Sequence, residues 1–260
     1  MAQEPKIAVA GDRAVLVEFP GGVSPQTNRQ VRGMARALEE NPFPGLLEVL
    51  PSYRSLLVVY DPLAIDLKTL NQKLTERAVA IETTELPPHR TVEIPTVYGG
   101  EFGPDLLDVA EYNNLTPAEV VKIHSRQTYL VYCLGFAPGF PFLGGMSPRI
   151  AMPRLDNPRR KVPAGSVGIG GHQTGIYPLE TPGGWRLIGR TPVHLYLPQE
   201  DPPVLLQAGD HLRFVPVSQE EYYRISRAVA AGRYRVKITT FIPGTKMSRR
   251  RPSLAASRSP

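Results

Sequence analysis

The sequence predicts a small α+β domain followed by an all-β barrel domain. Three observations carry that prediction. Proline and glycine are abundant, 28 and 23 of 260 residues. Proline stands at about twice its usual ~5% share, which argues for many turns and against a helical bundle. Two amphipathic helical stripes interleave with a few short strands in the first third of the chain. From Tyr129 onward, short apolar runs separated by long turn-rich stretches replace the helical period. At 260 residues and 42% hydrophobic, the chain is long enough for a substantial core in each of two domains.

Ala14–Phe19 reads as a strand closed by the Pro20-Gly21-Gly22 turn. Ser24 is a good helix N-cap with Pro25 at the first helical position. Val31, Met34, Ala35 and Leu38 then fall on one face, and Asn41-Pro42 stops the helix. Strands follow over 46–50 and 55–60. Asp66 caps a second helix whose stripe is Leu67, Leu70, Leu74, Ala78 and Ile81, and Pro87-Pro88 ends the unit. The first domain is therefore expected over 1–86.

The second domain is expected over 87–243. Val92–Val97 opens it as a strand before the Gly99-Gly100 turn, with a short helix over 104–112. Thr116-Pro117-Ala118-Glu119 is a capping box starting a helix that ends near His124. Strands are expected at 129–134, 166–169, 185–188, 193–197 and 211–217, a last helix over 219–231 and a further strand within 234–241. The basic, serine-rich segment 244–260 is expected to be a disordered tail.

Charge narrows the partners. The net charge is +6, but Lys246, Arg249, Arg250, Arg251 and Arg258 belong to the tail, and the remainder holds 25 basic against 24 acidic residues. Within that near-neutral remainder, residues 149–190 carry seven bases against Asp156 and Glu180. A local patch of this kind fits a small anion or an acidic protein surface and excludes a long nucleic-acid duplex. The single Cys133 excludes an intramolecular disulfide and a cysteine-based zinc site, and its apolar setting predicts an inert thiol. No apolar run reaches the ~20 residues of a membrane span, and no signal-peptide core is present. These features predict a cytoplasmic protein with no membrane partner.

The candidate site is the stretch 134–190, which reads GFAPGFPFLGG, then PRLDNPRRKVPAGSVGIGGHQTGIYP, then TPGGWRLIGRTP. Its glycines do not form a nucleotide loop of the standard kinds, because neither Gly-Lys-Ser/Thr nor a following helix is present. The arginines are more telling. Arg154 and Arg159 each follow a proline and are expected in stiff loops, and Arg186 and Arg190, four apart on one strand, share a face if the strand is unbulged. Guanidinium groups suit carboxylate or phosphate, although each arginine has the alternative of pairing with a local acid. Beside them, Gln173, Thr174 and Tyr177 form a polar, hydrogen-bonding segment flanked by glycines. Phe136, Phe140, Phe142 and Trp185 either wall a pocket or belong to the core.

For proton transfer the candidates are His124 and His172. His124 lies on the apolar side of its helix, where it either caps carbonyls or serves as acid, base or ligand. His172 lies among the glycine loops, where it is either solvated or placed for proton transfer. No histidine pair has metal-ligand spacing, so no bound metal is expected. The absence of a Gly-x-Ser-x-Gly elbow disfavours a serine hydrolase.

LGFAPGFPFLGG, PRLDNPRRKVPAGSVGIGG, QTGIYP and PGGWRLIGRTP together resemble the B subunit of bacterial 5-oxoprolinase, a family also named KipI-like and allophanate hydrolase subunit 1. GDRAVLVEF, LPSYRSLLVVYDP and VEIPTVYGGEFGPDL extend the resemblance over roughly 7–217, leaving the basic tail outside it. The resemblance implies that the second domain is a cyclophilin-like β-barrel. It implies two partners within a 5-oxoprolinase complex: the C subunit, with a related barrel, and a separate A subunit. It also implies that the complex consumes ATP as 5-oxoproline opens to L-glutamate. The same domain pair resembles the carboxyltransferase part of urea carboxylase, which keeps allophanate- or urea-related amide hydrolysis open. Another relative inhibits a sporulation histidine kinase, which leaves a kinase as an alternative partner.

Overall fold

A computed structural model describes residues 5–80, 86 and 88–240 of the chain. The predicted fold class holds: a helix-backed antiparallel sheet precedes a closed barrel. The expectations for Ile81, Pro87, Phe241 and the tail after 243 lie outside the described residues.

The first part comprises β1 (Lys6–Val9), β2 (Ala14–Glu18), α1 (Pro25–Glu40), β3 (Leu46–Pro51), β4 (Ser55–Tyr60) and α2 (Leu67–Ala80). Its sheet runs β1-β2-β4-β3, every neighbour antiparallel. Alternation in β2 and β4 puts Val15, Val17, Leu56, Val58 and Tyr60 on one face, where they pack with Val31, Met34 and Leu38 of α1 and Leu70 and Leu74 of α2. Both helix starts follow their local chemistry. Ser24 Oγ accepts from Thr27 N at 3.1 Å, and Asp66 Oδ1 accepts from Thr69 N at 2.9 Å. Sequence reasoning missed β1, because a four-residue edge strand is too short to show a period.

The barrel begins with β5 (Arg90–Tyr98), then a 3-10 turn over Gly100–Phe102, α3 (Leu106–Tyr112) and α4 (Pro117–Arg126). The capping box forms as expected: Thr116 Oγ1 accepts from Glu119 N at 3.3 Å, and the Glu119 carboxylate accepts from Thr116 N at 2.8 Å. Then follow β6 (Tyr129–Leu134), β7 (Pro141–Gly144), β8 (Arg159–Val162), β9 (Ser166–Gly170), β10 (Gln173–Ile176), β11 (Thr181–Gly183), β12 (Arg186–Arg190), β13 (His211–Pro216), α5 (Gln219–Ala230) and β14 (Ile238–Thr240).

Seven strands run β12-β9-β10-β7-β6-β13-β5, and a β5–β12 pairing closes the ring. Within that ring the β13–β5 pair is parallel. The long β5 uses one edge twice: residues 90–92 pair with β14, and Val97 and Tyr98 pair with β12. A separate β8–β11 pair lies outside the ring. Val131, Leu143, Val167, Ile169, Ile176, Ile188, Leu212 and Phe214 fill the barrel, and α3 and α4 add Leu106, Val109 and Val120 to that core. Among the described residues, no helix is long and apolar enough to cross a membrane.

One expected strand is absent. Residues 193–197 form an irregular loop with a single bridge from Tyr196 to Val204. Pro192 and Pro198 bracket the segment, and a residue without an N–H cannot carry a ladder onward. Apolar content alone made it resemble a strand.

Candidate functional site

The glycines of the central stretch serve packing. A Cβ on Gly170 would lie 2.6 Å from the Trp185 indole, and one on Gly175 would lie 3.0 Å from Phe140 and 3.1 Å from Trp185. The strands β9 and β10 thus leave room for Trp185, which meets Phe140 at 5.6 Å and Tyr177 at 6.3 Å between ring centroids. These rings form a satellite core with Val162 and Leu187. Tyr177 belongs to it: it is buried, and burial raises its hydroxyl pKa.

Of the four arginines, three have partners within the fold. Arg159 Nη2 donates to Asp105 Oδ1 at 2.7 Å. Asp105 Oδ2 accepts from Leu187 N at 2.6 Å, so this buried carboxylate fastens the start of α3 to both β8 and β12. Arg186 Nε donates to Pro153 O at 3.3 Å, and its Nη1 faces Asp108 Oδ2 at 3.4 Å. Arg190 lies over the Phe102 ring at 5.8 Å and is in hydrogen-bond contact with Tyr222. The condition for Arg186 and Arg190 to share a face fails, because β12 carries a register shift between Leu187 and Gly189. The bulge sends the two side chains to different partners.

Arg154 is different. Its guanidinium stacks over the Trp185 ring at 5.7 Å, the residue is exposed, and among the described residues no carboxylate pairs with it. A cation held on an aromatic face and open to solvent can take a carboxylate or phosphate without first breaking an ion pair.

The two histidines separate sharply. His124 is fully buried inside the barrel. Its Nδ1 meets Tyr98 Oη at 2.8 Å and its Nε2 meets Thr174 Oγ1 at 2.9 Å. Thr174 Oγ1 in turn donates to Gly168 O at 2.9 Å. The proton order follows: Thr174 has its hydrogen committed, so His124 Nε2–H donates to it and Nδ1 accepts from Tyr98. Burial holds the imidazole neutral, with its pKa lowered to about 3. A residue so enclosed has no contact with solvent, which favours a structural role over proton exchange with a substrate. His172, by contrast, is exposed on the tight β9–β10 turn.

Gln173, next to it, reaches into the first part of the chain: its Nε2 donates to the Tyr53 hydroxyl. Sequence reasoning missed Asp105 and Tyr53. Their partners lie 54 and 120 residues away, and no spacing rule links such positions.

Two surface hollows flank this region. One, of about 370 Å³, is lined by Leu134–Gly139 and Val204. Its rim carries Phe136, 69% exposed and at φ +61°, a left-handed conformation costly for an aromatic residue and often found at functional sites. The other, of about 420 Å³, lies between Val97–Phe102 and Val217–Gln219. Among the described residues, no cluster of three potential metal ligands exists.

A helix-backed sheet joined to a closed mixed barrel is the architecture of paired carboxyltransferase subdomains. The sequence profile of the carboxyltransferase domain, subdomain C and D, matches residues 5–206, and the chain belongs to that family. Within it, the chain is similar to proteins named as the B subunit of 5-oxoprolinase. It is 49% identical to that of Bacillus subtilis over 84% of this chain and 95% of the relative, and 42% identical to that of Escherichia coli O157:H7 over 82% and 97%.

Solved structures agree on the fold. The protein TTHA0988 superposes with a TM-score of 0.70 at 40% identity, over 79% of this chain, which spans 40% of that longer chain. A conserved uncharacterized protein of Pyrococcus horikoshii, 46% identical over 84% of this chain and 100% of its own, superposes at 0.50. The K. lactis urea amidolyase shares the fold at 0.74 and 22% identity, over 90% of this chain and 16% of its own.

Proposed function

We propose that this chain is the B subunit of a heteromeric, ATP-dependent 5-oxoprolinase, which opens 5-oxoproline to L-glutamate and is active only with its A and C subunits. The observation that carries the reading is the identity of 42–49% to proteins named as the B subunit of 5-oxoprolinase, across nearly their whole length. A five-membered lactam is a stable amide, so its opening calls for coupling to ATP. In the proposed route the γ-phosphoryl group passes to the lactam oxygen. Water then attacks the activated ring carbon and the C–N bond breaks. The product of that step is an acyl phosphate, which a second water hydrolyses to glutamate and phosphate, with ADP as the remaining product.

What this chain contributes is anion recognition and exclusion of water. Arg154, stacked on Trp185 and without an acid partner among the described residues, is the group placed to receive the substrate carboxylate or a phosphoryl oxygen. Arg159 and Arg186 hold the surrounding strands through Asp105 and Asp108. His124, neutral and enclosed, is a poor proton donor to substrate. Exposed His172 is the better placed of the two, with the remaining acid–base groups supplied by the other components of the complex.

The test is reconstitution. The purified chain with its A and C partners, ATP and 5-oxoproline is expected to form glutamate and ADP in equal amounts, and the chain alone to form neither. A complete mixture that yields no glutamate refutes the proposal.

A further inference from the structure

The sheet and the barrel meet at a joint that combines buried polar groups with aromatic rings. Fully buried Asn28 on α1 aims its Nδ2 at three carbonyls. Two belong to the β3–β4 turn, Ser52 O at 3.1 Å and Tyr53 O at 3.3 Å, and the third is Tyr132 O of barrel strand β6 at 3.1 Å. A side-chain amide carries two protons, so three acceptors share two donors. Arg32 Nε donates to Asn28 Oδ1 at 3.1 Å, and its guanidinium lies against Gly209 of the barrel part, 2.1 Å from where a Cβ would stand.

Beside this amide, the Tyr53 ring lies 5.2 Å from Tyr132 and 5.8 Å from Phe142, and its hydroxyl accepts from Gln173 Nε2. Cys133 lies under the same turn, 4% exposed and in hydrogen-bond contact with Ser52.

The buried cores on the two sides share no residue. Parts of a chain joined in this way move relative to one another unless a large apolar interface prevents it. The Pyrococcus relative also superposes less well on this chain than the much more divergent K. lactis enzyme does, a difference between structures that runs opposite to sequence identity.

We propose that this joint opens as a unit: the N-terminal part is a latch on the β6–β7–β10 face of the barrel, and its release frees Gln173. In the closed form the Gln173 amide is spent on Tyr53. In the open form that amide, with the Tyr132 and Phe142 rings beside it, is available to a ligand bearing a carbonyl or carboxylate acceptor. The inference rests on the placement of Gln173 in the candidate site and is independent of the reaction proposed there.

Cys133 is the only cysteine in the chain, so thiol labelling of the full-length protein with an aromatic disulfide reagent reads the opening directly. Burial pushes this thiol up to about 11, which makes reaction in the closed form slow and routes labelling through the open form. At low urea the labelling rate of the unsubstituted chain is expected to depend on denaturant far less steeply than global unfolding does. Tyr53→Phe keeps the ring and removes the bond to Gln173, and should label about fivefold faster, the effect of one hydrogen bond, with only a correspondingly small fall in the global unfolding midpoint. Asn28→Ala should label faster still. Labelling with the full urea dependence of global unfolding overturns the proposal, as does an unchanged rate in Tyr53→Phe. Those two readings decide even if Asn28→Ala fails to fold.

Discussion

Asp105 ties Arg159 to the backbone of Leu187: one carboxylate oxygen takes the guanidinium at 2.7 Å and the other takes the Leu187 N–H at 2.6 Å. Asp105 is 5% exposed, so neither partner can be replaced by water without rearrangement. Arg159→Ala should therefore cost about 2–4 kcal/mol, chiefly by leaving a buried charge without its cation. Asp105→Asn keeps one acceptor for Leu187 and should cost less. Urea unfolding of the two variants orders them, and an Arg159→Ala midpoint equal to that of the unsubstituted protein would contradict the account.

The enclosed imidazole of His124 makes stability depend on pH. In the unfolded chain a histidine titrates near ~6.5, while in the barrel burial lowers the pKa to about 3. The unfolded state therefore binds the proton first. The stabilisation is complete above about pH 6.5 and drains away as pH falls toward 3. Between pH 7 and 5 His124 should account for a loss of about 2 kcal/mol, read as a falling urea midpoint. His124→Gln is expected to flatten that slope while lowering stability at pH 7, since it removes the bridge between Tyr98 and Thr174. A slope unchanged in the variant would show that other groups carry the acid sensitivity.

What was legible in the sequence followed the range of the interaction. Ser24-Pro25 and Thr116 with Glu119 mark their helices because a cap is complete within four residues, and both caps form. The helical spacing of Val31, Met34, Ala35 and Leu38, and of Leu70 and Leu74, named part of the core of the first part because each helix turns one face to the sheet. The central stretch was recognisable as a place where aromatics and arginines gather, yet the duty of each arginine was not. Arg159 finds its acid across 54 residues, and the bulge that separates Arg186 from Arg190 leaves no mark in composition. The segment 193–197 misled because apolar residues between two prolines have the content of a strand and lack the donors for one.

Arg154 and Arg159, five residues apart, should separate binding from folding. Arg154 is exposed and its contact with Trp185 is worth about 0.5–1 kcal/mol at most, so Arg154→Ala should barely move the melting temperature. In the reconstituted assembly the same change is expected to lower kcat/KM for 5-oxoproline at least about tenfold, the effect of losing ~1.4 kcal/mol of charge-assisted binding. Arg159→Ala should show the reverse pattern, with stability falling first. If Arg154→Ala turns over substrate normally, the anion site lies elsewhere.

The seat of Trp185 offers a test that works on the isolated chain. A methyl group on Gly170 would come within 2.6 Å of the indole, and the displaced ring would have to move within a packed cluster containing Phe140, Tyr177 and Leu187. Overpacking of this kind costs about 1–3 kcal/mol. Trp185 is the only tryptophan in the chain, so its fluorescence reports on that one cluster. Gly170→Ala is expected to shift the emission of the folded protein toward longer wavelength and to lower the urea midpoint. Far-UV circular dichroism should stay unchanged, because the seven-stranded ring does not depend on the indole. Since Arg154 rests on the same ring, the variant should also weaken substrate binding in the assembly. A glycine that merely filled a turn would leave both emission and binding as they were.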